Sequence, residues 1–301
     1  MRMASSPVVL VLTLASLATH QALPPSNCTL DAPNHLSCRL SGINSRLKRT
    51  DFSVIPDNTT SLRVLCSQTD VGSLPPSAFS SLTSLRHLSL QGCALDPLPA
   101  GVFRGLHLLE HLQVSTGSLA PLRVEAGALR HLPRLTTLNM SANELGSLHD
   151  LGVSATIHNN CPHLLASLDL SNNELSMVEL ETLLSWPSIT SLNLGSNYIR
   201  FVADSVLANS TALVTLDMSN NHMSQLPHAL PAGLPLRELL LDNDSLDGVT
   251  GFTNDTFLHS YDNSDAPRPT HRRPPQRPHH VLLDPLHRGP TAFFLKSSKV
   301  N

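Results

Sequence analysis

The residues of this 301-residue chain best placed to do chemistry form a recurring polar column: Ser89, Gln113, Asn139, Asp169, Asn193 and Asp217. Most sit between two aliphatic residues, as in Leu168-Asp169-Leu170, the alternation of a short strand with apolar residues inward and polar residues outward. Such a column sets donors, acceptors and two carboxylates along a line, which is the chemistry of recognition rather than of bond breaking. Two further pairs recur at equivalent offsets. Arg86 and Glu110 are charges suited to a cross-strand ion pair, and His87 and His111 are rings that repel when both are protonated. His87, His111, Gln113, Asp169, Asn193 and Asp217 are therefore the candidate ligand-binding residues. No Gly-x-Ser-x-Gly, phosphate-binding loop, His-Glu-x-x-His or paired Cys-x-x-Cys is present, so no enzyme is expected. The 16 histidines are scattered, and His279-His280 reads as part of a solvated low-complexity tract. Neither a metal nor a cofactor is expected.

Cysteines and sequons add a compartment. Cys28 and Cys38 flank a polar segment and are expected to form a disulfide that staples a cap; Cys66 is placed with the same cap. Five cysteines leave at least one unpaired within a monomer. Cys93 is the expected free thiol, while the pairing of Cys66, Cys93 and Cys161 stays open. Asn27, Asn58, Asn139, Asn209, Asn243 and Asn254 head Asn-x-Ser/Thr sequons and are candidate glycosylation sites in a secreted chain. Asn139 would carry its glycan in the middle of the polar column. Arg46-Leu47-Lys48-Arg49 has the form of a proprotein-convertase site and is read as a solvated basic loop; a mature N-terminus at Thr50 is the competing outcome.

The elements that hold these residues are repeats. Leu165-Ala166-Ser167-Leu168-Asp169-Leu170-Ser171-Asn172-Asn173-Glu174-Leu175 fits L-x-x-L-x-L-x-x-N-x-L at each fixed position, the leucine-rich repeat signature. The aliphatic positions fill one coil of a solenoid, and Asn173 can satisfy backbone groups where the chain leaves its strand. First-leucine positions fall at Leu62, Leu85, Leu109, Leu135, Leu165, Ile189, Leu213 and Leu236, separated by 23, 24, 26, 30, 24, 24 and 23 residues. The asparagine position reads Asp70, Cys93, Gly117, Asn143, Asn173, Asn197, Asn221 and Asp244, most regular from Leu135 onward. Phe79 and Phe103 are expected to fill the broad end of early coils. The expected fold is an α/β-type solenoid: a leucine-rich repeat horseshoe with a parallel concave sheet, about eight repeats and a disordered C-terminal tail.

Composition agrees with tiling by aliphatics, since 41% of residues are hydrophobic but only 4% aromatic. The organisation is read as a signal peptide (1–22), a cysteine-containing cap (23–61), repeats (62–251) and a disordered Pro/His/Arg-rich tail (252–301). The last repeat, lacking a cysteine cap, is expected to fray. The net charge is −3; seven Lys/Arg against three Asp in residues 261–301 leave the rest at about −7.

The repeat phrase Leu98-Pro99-Ala100-Gly101-Val102-Phe103-Arg104-Gly105-Leu106 carries a wider likeness. Together with the inserted unit Asp150-Leu151-Gly152 to Cys161 before Leu168-Asp169-Leu170-Ser171, it resembles the N-terminal ectodomain of invertebrate Toll receptors over about residues 28–251. The resemblance implies extracellular recognition in innate immunity or development, with a protein ligand or receptor ectodomain as partner and no nucleic acid. No apolar stretch of about 18 residues follows the leader, so no membrane span is expected in this chain. The resemblance then implies a truncated or soluble, decoy-like form. An adhesive matrix protein is the alternative.

Overall fold

The computed structural model describes residues 28–40, 52, 55–66, 74–93, 95–117, 121–147, 151, 162–176, 186–200, 211–223, 235–240, 280–282 and 294–295. An antiparallel hairpin, β1 (Cys28–Ala32) and β2 (His35–Leu40), opens the sheet. Asn34 turns it with a φ of 62°, a left-handed conformation that asparagine tolerates better than most residues. From β2 onward the neighbours are parallel: β3 (Ser61–Cys66), β4 (His87–Gln91), β5 (His111–Ser115), β6 (Thr137–Asn139), β7 (Ser167–Asp169), β8 (Ser191–Asn193), β9 (Thr215–Asp217) and β10 (Glu238–Leu240). Each of β3 to β10 comes from one repeat, so the sheet grows by one strand per coil. This is a leucine-rich repeat solenoid. Between strands the described segments return mostly through turns.

Packing follows from the spacing. Leu88, Leu112, Leu138, Leu168, Leu192 and Leu216 lie opposite one another in register and are all buried. Leu85, Leu109, Leu135, Leu165, Ile189 and Leu213 form a second buried row behind them. At the broad end Phe52, Phe79 and Phe103 follow one another, with ring centroids 4.6 and 6.1 Å apart; the first pair is tilted by 48° and the second is stacked. The expected placement of Phe79 and Phe103 inside the coils holds. Each fully buried aliphatic contributes roughly 1.5–3 kcal/mol, so the repeated rows dominate the fold's stability.

The first unit departs from the expected register. Leu62 lies opposite Leu88, not Leu85. The position equivalent to Leu85 is Thr59, fully buried, with no hydrogen-bond partner for its hydroxyl. A threonine at a leucine position hides the repeat start, and Leu62 is mistaken for it. The corresponding asparagine position is then Ser67 rather than Asp70, and both lie outside the described residues.

Within residues 252–301, expected to be unstructured, two short strands are described. β11 (His280–Leu282) pairs antiparallel with β10, and β12 (Phe294–Leu295) pairs with β11. The exposed edge of the last repeat thus finds backbone partners, which is what an unpaired strand edge favours. The rest of that segment, the leader, the Arg46–Arg49 motif, Cys161 and the inserted residues 152–161 lie outside the described residues. Among the described residues no helix is long and apolar enough to cross a membrane.

Candidate functional site on the concave sheet

Along the sheet every second side chain faces outward, and each solvent-facing column aligns across strands. One column runs His35, Ser61, His87, His111, Thr137, Ser167, Ser191, Thr215 and Glu238. The next runs Arg63, Ser89, Gln113, Asn139, Asp169, Asn193 and Asp217. All six candidate binding residues therefore share one face. They do not share one environment.

In the N-terminal coils the side chains bond to one another. The Arg86 guanidinium pairs with the Glu110 carboxylate one coil on. The His87 and His111 rings stack with centroids 4.6 Å apart and planes 6° from parallel. Burial and the adjacent His111 hold the His87 imidazolium form below the usual histidine range; His35 acts in the same direction, while Glu110 and a backbone hydrogen bond at Thr60 partly oppose them. Beside this pair, the Ser89 hydroxyl donates to Gln113 Oε1 at 2.9 Å, and Gln91 Nε2 donates to both Ser89 Oγ and Gln113 Oε1 at 3.0 Å. Gln113 Nε2 keeps its donors facing outward, with no protein partner among the described residues. The sequence reading omitted Gln91, whose only signal is a polar residue one step beyond the second strand leucine.

The C-terminal coils spend the same column on their own backbone. Asn139 Oδ1 accepts from the Ser141 N–H at 2.9 Å, Asp169 Oδ1 from Ser171 at 3.0 Å, Asn193 Oδ1 from Gly195 at 2.9 Å and Asp217 Oδ1 from Ser219 at 2.9 Å. These are Asx-type turns that steer the chain off each strand. One residue further, Ala142, Asn172, Ser196 and Asn220 adopt φ values of 55–57°, and the capped turn carries that strain. Both carboxylate oxygens of Asp169 are engaged, because its Oδ2 accepts from Asn139 Nδ2 at 3.0 Å. The signal was present in the sequence as a recurring Asx-x-Ser/Gly triplet. At Asn139 that triplet also reads as a sequon, and at Asp169, Asn193 and Asp217 it reads as ligand chemistry.

The asparagine ladder lies beneath this surface. Asn173 Nδ2 donates to the carbonyls of Met140 and Leu170, and its Oδ1 accepts from the N–H groups of Asn143 and Leu145. Asn197 and Asn221 repeat the pattern toward Leu170, Leu194 and Met218, and accept from Leu175 and Ile199. The ladder ends at Asn143, which reaches Val114 and Thr116.

Cys28–Cys38 is a disulfide as expected. Cys93 is not a free thiol. It is bonded to Cys66 of the preceding coil, with Cα atoms 4.9 Å apart. Parallel pairing of β3 with β4 carries both chains off the sheet side by side, so Cys66 joins the next coil and not the cap. Gly92 makes room for this: its φ is 63°, and a Cβ there would lie 3.0 Å from the Cys66 carbonyl oxygen. Of the two sequon asparagines described, Asn58 is exposed and Asn139 half-buried within the hydrogen bonds above.

The comparisons agree with a leucine-rich repeat fold of the extracellular type. The Leucine rich repeat family model matches residues 163–223, the most regular coils. By sequence, the chain is 30% identical over 252 residues to Podocan-like protein 1 of Homo sapiens, covering 75% of this chain and 45% of that protein. It is 31% identical over 203 residues to the transforming growth factor beta activator LRRC32 of Pongo abelii, covering 62% and 28%. The chain thus spans less than half the length of these relatives. By structure it is similar to a chain of the Drosophila Toll–Spatzle complex, with a TM-score of 0.50, 24% identity, and coverage of 69% of this chain and 29% of that one. That likeness shows the fold.

Proposed function

We propose that the chain is an extracellular recognition protein that presents the N-terminal half of its concave sheet to a protein ligand or receptor partner, after the manner of a Toll-type ectodomain. The observation that carries this reading is the contrast between the two halves of the sheet. Around Arg86, His87, Glu110, His111 and Gln113, charges, rings and an amide are arranged on two consecutive coils, with donors still facing outward. Beyond Asn139 the equivalent residues hold turns. Asp169 leaves the candidate set on this reading, while Asn193 Nδ2 and Asp217 Oδ2 remain secondary contacts. A polar face of this kind suits a hydrated, specific protein contact. A role in innate immune or developmental signalling belongs to the same proposal, supported by the shared fold with Toll in its Spatzle complex.

The test is surface-based binding of the full chain to Spatzle and to Toll-type ectodomains. Saturable binding that is lost in a His87→Ala, His111→Ala, Gln113→Ala variant and kept in Thr215→Ala, on the C-terminal half of the same face, supports the reading. Equal loss in both variants removes the proposed site. A second reading, an adhesive matrix protein, is favoured by the sequence likeness to Podocan-like protein 1, which covers more of this chain than the Toll structure does. Binding only to matrix components would select it.

A further inference from the structure

Arg104 and Arg130 stand at the same place in consecutive coils, each five residues before a buried first leucine, Leu109 and Leu135. They lie on the return side, away from the concave face. Phe103 and Leu106 anchor one turn from beneath, and Leu129 and Leu132 anchor the next. The coils are closely packed here, since a Cβ on Gly105 would come within 3.2 Å of the Ser80 backbone. His107 and His131 complete the group. Arg104, His107 and Arg130 are exposed and His131 is half-buried. Arg134, also exposed, extends the row.

Among the described residues the arginines of this flank have no carboxylate in ion-pair contact. Among the described residues the two ion pairs are Arg86–Glu110 and Arg123–Asp96, and neither Arg104 nor Arg130 takes part. Burial disfavours protonation of His131, and Arg104, Arg130 and His107 add to that; no carboxylate acts in the opposite direction. Glu125, the acidic residue of the same return, accepts from the Ala100 N–H at 2.8 Å and, among the described residues, forms no ion pair with these arginines. Like charges gathered on a mildly acidic body are destabilising unless a counter-anion joins them.

We propose that this return-side flank, comprising Arg104, His107, Arg130, His131 and Arg134, is a binding site for a linear sulfated polysaccharide. Guanidinium forks match sulfate oxygens in a bidentate manner. Their placement along successive coils suits an extended polyanion laid across the repeats rather than a small ion. Phe103 and, in the preceding return, Phe79 are fully buried, so neither phenylalanine is offered to stack the bases of a single strand. The flank lies apart from the concave face, so a polysaccharide and a protein ligand can be held together. A sulfate beside His131 offsets its positive neighbours and favours its protonated form, so binding takes up a proton and tightens as pH falls through the histidine range.

Immobilised heparin tests this with the full chain. Retention should strengthen between about pH 7.5 and about pH 5.5, the histidine range. The Arg104→Ala, Arg130→Ala variant should lose about tenfold in affinity, with the slope of log affinity against log salt shallower by about one per arginine. Arg200→Ala, which removes an exposed arginine elsewhere, should bind as the native chain does. The proposal is overturned if the double variant binds heparin unchanged or Arg200→Ala weakens it equally. It is also overturned if duplex DNA of matched charge or phosphatidylserine vesicles bind more tightly than heparin at the same salt. The variant's exposed positions and an unchanged thermal transition separate lost binding from lost folding.

Discussion

The N-terminal and C-terminal coils solve one structural problem in two ways. Each coil must leave its strand, turn and cover the backbone groups that the turn buries. Coils from Leu135 onward use side-chain amides and carboxylates: Asn143, Asn173, Asn197 and Asn221 bridge adjacent coils from inside, and Asn139, Asp169, Asn193 and Asp217 cap the turns from outside. Coils before it lack those asparagines. They have five- or six-residue strands in place of three-residue ones, neighbouring phenylalanines and a disulfide where the ladder would begin. The difference teaches where function has room. A polar column that already holds turns has few groups to offer, whereas the N-terminal column is supported from behind by rings and sulfur and leaves its outer side chains for a partner.

That contrast can be broken most severely at Asn173. Asn173→Ala orphans the N–H groups of Asn143 and Leu145 and the carbonyls it serves. Buried unsatisfied groups of this kind should cost about 3–5 kcal/mol, read as a lowered denaturation midpoint. If Asn173→Ala unfolds no more easily than an exposed control such as Ser176→Ala, the ladder does not hold these coils.

The matching experiment on the other half removes the covalent link. A Cys66→Ser, Cys93→Ser double variant should lose about 2–4 kcal/mol by chemical denaturation, chiefly by freeing the unfolded chain. Its loss should leave hydrogen-exchange protection at Leu192 and Leu216 nearly unchanged. Equal loss of protection in both halves would mean that the coils unfold as one unit and the division is only geometric.

Thr59 offers a gain. Thr59→Val keeps the shape and removes a buried hydroxyl that has no partner, so stability should rise by about 1 kcal/mol. A drop would show that the hydroxyl is satisfied in solution.

The smallest effect concerns pH. His87 titrates below its ordinary range in the folded chain, so the unfolded state binds more protons as pH falls. Its contribution is fully present above the usual histidine range and is lost as pH drops through it. NMR titration should show the His87 midpoint moving upward in His111→Ala. An unmoved midpoint would leave burial and His35 as the causes and remove the stacked pair as a pH-sensitive element.

Legibility in the sequence followed periodicity. Leu109 to Leu236 could be placed because each coil buries aliphatics at fixed intervals, and the same intervals put His87 beside His111 and Arg86 beside Glu110. Thr59 broke the pattern with one hydroxyl and shifted the first unit by three residues. Cys93 occupied an asparagine position, and nothing in its own repeat shows that a thiol stands across the coil gap.

What the sequence determined by itself is the repeat, its inward rows and the outward columns, because side-chain period in a strand is local and burial selects it. Only the tertiary structure decided the roles within a column. Asp169 and Gln113 occupy equivalent positions in adjacent parts of one sheet, yet one carboxylate is consumed by a turn and a neighbouring amide, and the other side chain still presents donors outward. Hydrogen bonds saturate and are directional, so what a polar group can offer a partner depends on which neighbours have already claimed it.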